Sequence, residues 1–250
     1  MPRVPVPPWH RHILLKRNTE MGQLETLPGG LVLELGSGCF PLSTDTLRLA
    51  EFVRLRGAQR VADLGSGCGT LGLLLCDRYP TCTVTGLELQ PEAHAAALAN
   101  IRRNQLAPRM QSLLGDLRQV RNLLPAGRFD CVVSNPPYFP TTGSPPANRG
   151  ALQARREDCC PLEAIFQAAA WLLRYGGDLY LVHQPERLTD LMFWGRALRL
   201  EPKRLRLVRH RAAGPVSLIL LQYRLGAGPG LHLESDLVLS LENVPPCNGK

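Results

Sequence analysis

The chain has 250 residues and a mass of 27.6 kDa, with 44% apolar and 20% charged residues. That composition fits one α/β domain with an extension, or at most two small domains, and excludes wholesale disorder. Lys plus Arg is 29 against 21 Asp plus Glu, a formal net charge of +8, which favours a polyanionic partner because cationic side chains displace counterions from phosphates. All but three of the basic residues (Lys16, Lys203 and Lys250) are Arg, a bias that genome composition also produces.

No apolar run approaches the ~20 residues of a membrane span, and the start, MPRVPVPPWHRHILLKR, is too rich in proline and charge for a signal-peptide core. No pair of the eight cysteines has CxxC spacing, so no metal site is expected, and scattered free thiols suit a reducing, cytoplasmic setting.

Residues 1–12 read as an extended basic arm. Residues 22–36 alternate around Pro28-Gly29-Gly30, a hairpin signal. STDTLRLAEFVRL (43–55) is an amphipathic helix with Ser43 or Thr44 as its cap. From residue 60 strands and helices alternate: strand 60–64, helix 69–79, strand 81–89, helix 91–106, strand near 111–114, short helix 116–124 and strand 129–134. A Pro/Gly/Ser-rich loop (139–150) leads to helix 160–175, strand 178–182 and helix 186–200. Strands 204–208 and 216–222 are joined by seven residues, too few for a crossover helix, so they pair antiparallel. The pattern predicts an α/β fold: a seven-stranded, mostly parallel, doubly wound sheet with its last strand antiparallel. A hairpin–helix extension (1–56) precedes the main domain (57–225), and a tail (226–250) follows it.

Three strings carry chemistry. Asp63-Leu-Gly65-Ser-Gly67-Cys-Gly69 leaves a strand and enters a helix, where glycines let backbone approach a ligand. Gly67-Cys-Gly69-Thr-Leu-Gly72 is also a formal GxGxxG, so a dinucleotide or a plain tight turn stays open on this loop alone. Glu88 ends the next strand, where a carboxylate can take both ribose hydroxyls of an adenosine ligand, and Asp116 follows the third strand, where it can meet an adenine amino group or simply cap its helix. A second string, Leu33-Glu-Leu-Gly36-Ser-Gly38-Cys39, echoes the loop but lacks a helix after it and reads as a turn.

The most specific string is Ser134-Asn135-Pro136-Pro137-Tyr138. Two prolines remove two N–H donors, so the segment offers acceptors and a ring. The Asn135 side-chain oxygen and the Pro136 carbonyl can grip both hydrogens of a planar NH2 group, while Tyr138 stacks on the ring that carries it. Holding those hydrogens directs the nitrogen lone pair toward a methyl donor without a strong base.

These residues resemble class I S-adenosylmethionine-dependent methyltransferases of the NPPY, amino-methylating kind, and within them the bacterial tRNA1(Val) adenine-37 N6-methyltransferase family. The resemblance spans roughly residues 13–235, from Phe40 and Asp45-Thr46-Leu47 through the glycine loop to Pro202-Lys203-Arg204-Leu205. It implies a Rossmann-like fold, S-adenosylmethionine as cofactor and tRNA as substrate. Asp63, Gly65, Gly67 and Gly69 would then cradle the methionine end of the cofactor, Glu88 the ribose, and Asp116 with Leu117 the adenine. Asp45 and the segment near Phe40 would cover the cofactor, while Asn135, Pro136 and Tyr138 would hold the target amine. A protein glutamine amide or a guanine N2 amine of rRNA would suit the same site. A nicotinamide-dependent oxidoreductase built on the GxGxxG and a non-catalytic RNA-binding module are the readings from other classes. The oligomeric state stays open, with a monomer the simplest expectation.

For the RNA itself the candidates are cations. Between 196 and 211 lie Arg196, Arg199, Lys203, Arg204, Arg206, Arg209 and Arg211 against a single Glu201. Arg204 and Arg206 alternate with leucines and would face phosphates from one strand face, or merely protect a solvated edge strand. Arg149, Arg155 and Arg156 flank the loop after the NPPY string, itself a candidate lid. Cys159, Cys160 and His183 are expected to pack or face solvent.

Overall fold

The computed structural model describes residues 23–35, 42–57, 59–137 and 161–239. The first two strands, β1 (Gln23–Thr26) and β2 (Val32–Leu35), form the expected antiparallel hairpin. Leu27 N–H donates to the Leu31 carbonyl at 2.7 Å across its turn, and Gly30 takes a φ of +96°, where a Cβ would be penalised. The helix α1 (Thr44–Phe52) follows, capped by Ser43, whose Oγ accepts the Thr46 N–H.

The alternating units are β3 (Arg60–Leu64), α2 (Thr70–Arg78), β4 (Thr83–Glu88), α3 (Pro91–Arg103), β5 (Met110–Leu114), α4 (Val120–Leu123) and β6 (Phe129–Ser134). After them come α5 (Leu162–Leu172), β7 (Leu173–His183), α6 (Leu188–Ala197), β8 (Leu200–Arg209) and β9 (Val216–Leu225). Two short strands, β10 (His232–Leu233) and β11 (Leu237–Val238), complete the described chain. One sheet takes all strands from β3 on, in the order β10-β8-β9-β7-β6-β3-β4-β5, with β11 also beside β8. Strands β3 to β7 are parallel, and β9 runs antiparallel to both β7 and β8. All seven expected strands are therefore present, and the antiparallel one lies inside the sheet.

The period of two along each strand divides the core. Val61, Cys131, Val133, Tyr180 and Val182 face the hairpin, α1, α2 and α3, whereas Ala62, Leu64, Val132, Leu179 and Leu181 face α4, α5 and α6. The hairpin is fastened to this body by side chains that act as a surrogate strand. Asn100 Oδ1 accepts the Glu34 N–H (2.7 Å) and Asn104 Oδ1 the Val32 N–H (2.8 Å), while their amide nitrogens donate to the Glu34 and Val32 carbonyls. Asn100, wholly buried, also donates to the Cys68 carbonyl in the glycine loop (3.1 Å).

Two segments depart from the sequence reading. The helix expected to run to 175 stops at Leu172, and β7 begins at once. Its register with β6 jumps from Phe129↔Leu173 to Cys131↔Asp178, a bulge that turns at Gly176. Arg174 reaches Asp130 there, and the Tyr175 hydroxyl donates to the Gly226 carbonyl (2.8 Å), so these two polar ends leave the helix for contacts elsewhere. The tail likewise does not simply trail. Residues 232–233 and 237–238 pair parallel with β8, covering an edge that would otherwise expose unpaired backbone groups.

Candidate active site

Because β3 to β6 are parallel, their carboxyl ends gather at one side of the sheet, and four of the sequence motifs emerge there. Between β3 and α2 the loop Gly65–Gly69 turns back on itself. Gly65, Gly67 and Gly69 have φ of +70°, +56° and +85°, conformations that side chains resist. A Cβ on Gly65 or Gly67 would meet nothing within 4 Å, so both face open space where a ligand can approach the backbone.

Glu88 closes this loop from β4. Its Oε2 accepts the Gly67 N–H at 2.7 Å and its Oε1 accepts the Gln90 N–H at 2.8 Å, each oxygen keeping a second lone pair for a hydroxyl. Asp63, at the end of β3, is only 2% exposed, and its Oδ2 has no hydrogen-bond partner. Burial first, and then the neighbouring Glu88 charge, push its carboxyl up to about 7 against a weaker opposing bond from the Gly72 N–H. A buried carboxylate oxygen without a donor, beside an open glycine loop, matches a ligand that brings its own cationic donor. An amino-acid ammonium group is such a donor, so the residues present fit the methionine end of S-adenosylmethionine.

Asp116 follows β5 and takes the capping role that the sequence left open. It accepts the Arg118 N–H at 2.9 Å and pairs with the Arg118 guanidinium, which holds its carboxyl below the ordinary range. Leu117 packs its side chain in the core on the α4–α6 face. Sequence reasoning missed two neighbours, Leu89 and Leu114. Both are exposed, one directly after Glu88 and the other its register partner on β5. A leucine just after Glu88 and another two residues before Asp116 were the available signal for an apolar surface.

β6 brings the amine-gripping motif to the same edge. The buried Ser134 hydroxyl donates to the Leu64 carbonyl at 2.8 Å, tying the end of β6 to the start of the glycine loop. Asn135 is half-buried and donates its Nδ2–H to the Thr46 hydroxyl at 2.9 Å, and Pro136 is buried behind it. Asp45 lies in the first turn of α1, one residue before Thr46. Tyr138, Phe40, Arg149, Arg155, Arg156, Cys159 and Cys160 lie outside the described residues.

Arg204 and Arg206, the cations expected to face RNA, are engaged within the protein. Both point at one carboxylate, Glu234 from the tail: Arg204 Nε lies 2.6 Å and Arg206 Nη2 2.5 Å from its oxygens. Arg204 is 11% exposed, donates to Phe52 and Gln222, and covers the Phe52 ring at 4.1 Å. Burial alone would raise the Glu234 carboxyl, but these arginines and Arg54 together hold it down. Their charge thus anchors the tail and α1. Among the arginines of this region Arg196, Arg199 and Arg211 are exposed, and Arg211 lies in the turn after β8 at the same sheet end as Asn135. His183 is buried, its Nδ1 accepting the Gln184 N–H. The described residues contain no group of three or more His, Cys, Asp or Glu that could hold a metal, and no helix long and apolar enough to cross a membrane.

A wound parallel sheet, a glycine loop backed by two acids and an Asn-Pro-Pro strand end together define a methyltransferase-like architecture. The methyltransferase small domain model matches residues 42–190, and the chain belongs to that family. It is similar to a tRNA1(Val) (adenine(37)-N6)-methyltransferase of Porphyromonas gingivalis, 34% identical over 168 residues that make up 66% of this chain and 66% of that protein, so the match spans just under two thirds of the relative's length. It is also similar to the protein of the same name in Vibrio cholerae, at 26% identity over 83% of this chain and 84% of that one. In fold it resembles a predicted O-methyltransferase of Agrobacterium tumefaciens, with a TM-score of 0.67 at 21% identity over 80% of this chain and 90% of that one. Family membership favours a methyl donor over a dinucleotide in the loop that contains Gly67–Gly72.

Proposed function

We propose that the protein is an S-adenosylmethionine-dependent N-methyltransferase that acts on the exocyclic N6 amine of an adenine in tRNA, at position 37 of a tRNA1(Val)-like substrate. The observation that carries the reading is the placement of Asn135, tied through Ser134 to Leu64, beside a glycine loop backed by the buried Asp63, whose Oδ2 has no donor among the described residues. S-adenosylmethionine supplies a methyl group on a cationic sulfur. Asp63 would meet its ammonium, Glu88 its ribose hydroxyls, and Leu89 and Leu114 the apolar faces of its adenine. Asp116 and the Leu117 backbone would read the adenine edge. Asn135 and the Pro136 carbonyl accept hydrogen bonds from the target amine, which directs its lone pair at the methyl carbon. Such a transfer depends on alignment and exclusion of water more than on a strong base. An adenine in an anticodon loop leaves its stack cheaply, which suits a pocket that must enclose one base.

The test is incorporation of labelled methyl from S-adenosylmethionine into total tRNA, with the modified nucleotide mapped. The reading expects N6-methyladenine in tRNA. Label in protein glutamine or in rRNA guanine would reassign the substrate while keeping the site. Asn135→Ala should lower transfer about 1000-fold or more and leave S-adenosylhomocysteine affinity within about twofold, since it grips the amine and not the sulfur.

A further inference from the structure

We infer that Thr46 is a positioning residue for methyl transfer, setting which end of the Asn135 carboxamide faces the target amine. The inference rests on the assignment of Asn135 as the amine acceptor. Thr46 stands 89 residues before Asn135 in sequence, in the first turn of α1, and is almost fully buried. Its Oγ1 accepts the Asn135 Nδ2–H at 2.9 Å and lies 2.9 Å from Ser43 Oγ. Ser43 Oγ in turn accepts the Thr46 backbone N–H at 3.2 Å as the helix cap. The three groups form a chain from the catalytic asparagine to the start of α1, and each link has ordinary hydrogen-bond geometry.

The chemistry explains why this end matters. A carboxamide has an acceptor at one end and two donors at the other, and a half-turn about its last bond exchanges them. An amine about to be methylated has hydrogens to give and one lone pair to keep for the methyl carbon. The oxygen end of Asn135 takes a hydrogen and raises the lone-pair density. The nitrogen end would instead compete for that lone pair. With Nδ2 held on Thr46, the carboxamide is fixed in one orientation, which under this inference leaves its oxygen as the end that the amine meets. The role is specific to the hydroxyl, because a valine of the same shape packs equally well but accepts no hydrogen bond.

The experiment compares Thr46→Val, Thr46→Ser and Asn135→Ala in the full chain. Three quantities are followed: single-turnover methyl transfer to tRNA, affinity for S-adenosylhomocysteine, and the side-chain amide proton signals of Asn135, assigned by their loss in Asn135→Ala. Thr46→Val should slow transfer between about 10- and 100-fold, with cofactor affinity and KM for tRNA within about twofold. It should also move the Asn135 amide protons, and Thr46→Ser should restore both rate and signal. A Thr46→Val enzyme within twofold of the unaltered rate overturns the inference. So does a loss that Thr46→Ser does not rescue, or one that weakens S-adenosylhomocysteine in parallel, since these describe a packing role. Undiminished transfer by Asn135→Ala overturns instead the amine-gripping reading on which it rests.

Discussion

The catalytic edge of the sheet and its outer edge at β8 are both built from charged side chains, but they use charge in opposite ways. At the catalytic edge Asp63 is buried with an oxygen that no donor among the described residues satisfies, and Glu88 accepts the backbone N–H groups of Gly67 and Gln90. At the outer edge Arg204 and Arg206 both form ion pairs with Glu234, with the Phe52 ring beneath, although Glu234 Oε2 and Arg206 Nε make no hydrogen bond among the described residues. A buried carboxylate without an opposite charge costs stability and is retained where a ligand completes it, whereas each charge of the β8 cluster already has an opposite charge beside it. The charge of Arg204 and Arg206 on β8 is therefore already engaged by the tail.

The sharpest way to break this contrast is to open the ion-pair cluster. Glu234→Ala leaves two half-buried guanidinium groups without their carboxylate and should cost about 3 kcal/mol of stability, read as a lower urea midpoint, with S-adenosylhomocysteine affinity unchanged. If Glu234→Ala is as stable as the unaltered chain, the cluster is not what holds the tail. At the catalytic edge the corresponding change relieves a cost. The Asp63 carboxyl, raised to about 7, binds a proton in the folded state at pH values where the unfolded chain has released it. Stability should consequently decline as pH rises from about 4 to about 7, and Asp63→Asn should flatten that slope in denaturant titrations run at each pH. The same ionisation should strengthen S-adenosylhomocysteine binding as pH rises through 7, and Asp63→Asn should remove this dependence. The smallest effect belongs to Arg211, exposed in the turn after β8. Its alanine variant should weaken tRNA binding about threefold and reduce the salt dependence of binding by about one phosphate contact.

Motifs governed by local stereochemistry were legible in the sequence. The glycine loop announced itself because three positive φ angles need three glycines, and the Asn-Pro-Pro strand end because prolines leave few conformations. Strands 60–64 and 129–134 were legible from their short apolar runs. What stayed hidden depends on partners distant in sequence. Nothing near Asn100 signals that it bonds to β2, 66 residues earlier, and nothing near Arg204 signals Glu234, 30 residues later. The stretch Leu172-Leu173-Arg174-Tyr175 continues a helical pattern, and only Asp130 and Gly226 draw it into a strand. Asp116 had two readings, and its bonds to the Arg118 N–H and guanidinium show the capping one.

The asparagine stitch between α3 and the hairpin also imposes an order on synthesis. Leu27, Leu33 and Leu35 leave the ribosome long before Asn100 and Asn104, whose amides complete the edge of β2. At translation rates of roughly 5–20 residues per second, the 72 residues between Val32 and Asn104 correspond to a wait of about 4 to 14 s. For that interval the nascent hairpin displays an apolar face and an unpaired strand edge together, a form that chaperones bind and that neighbouring nascent chains can capture.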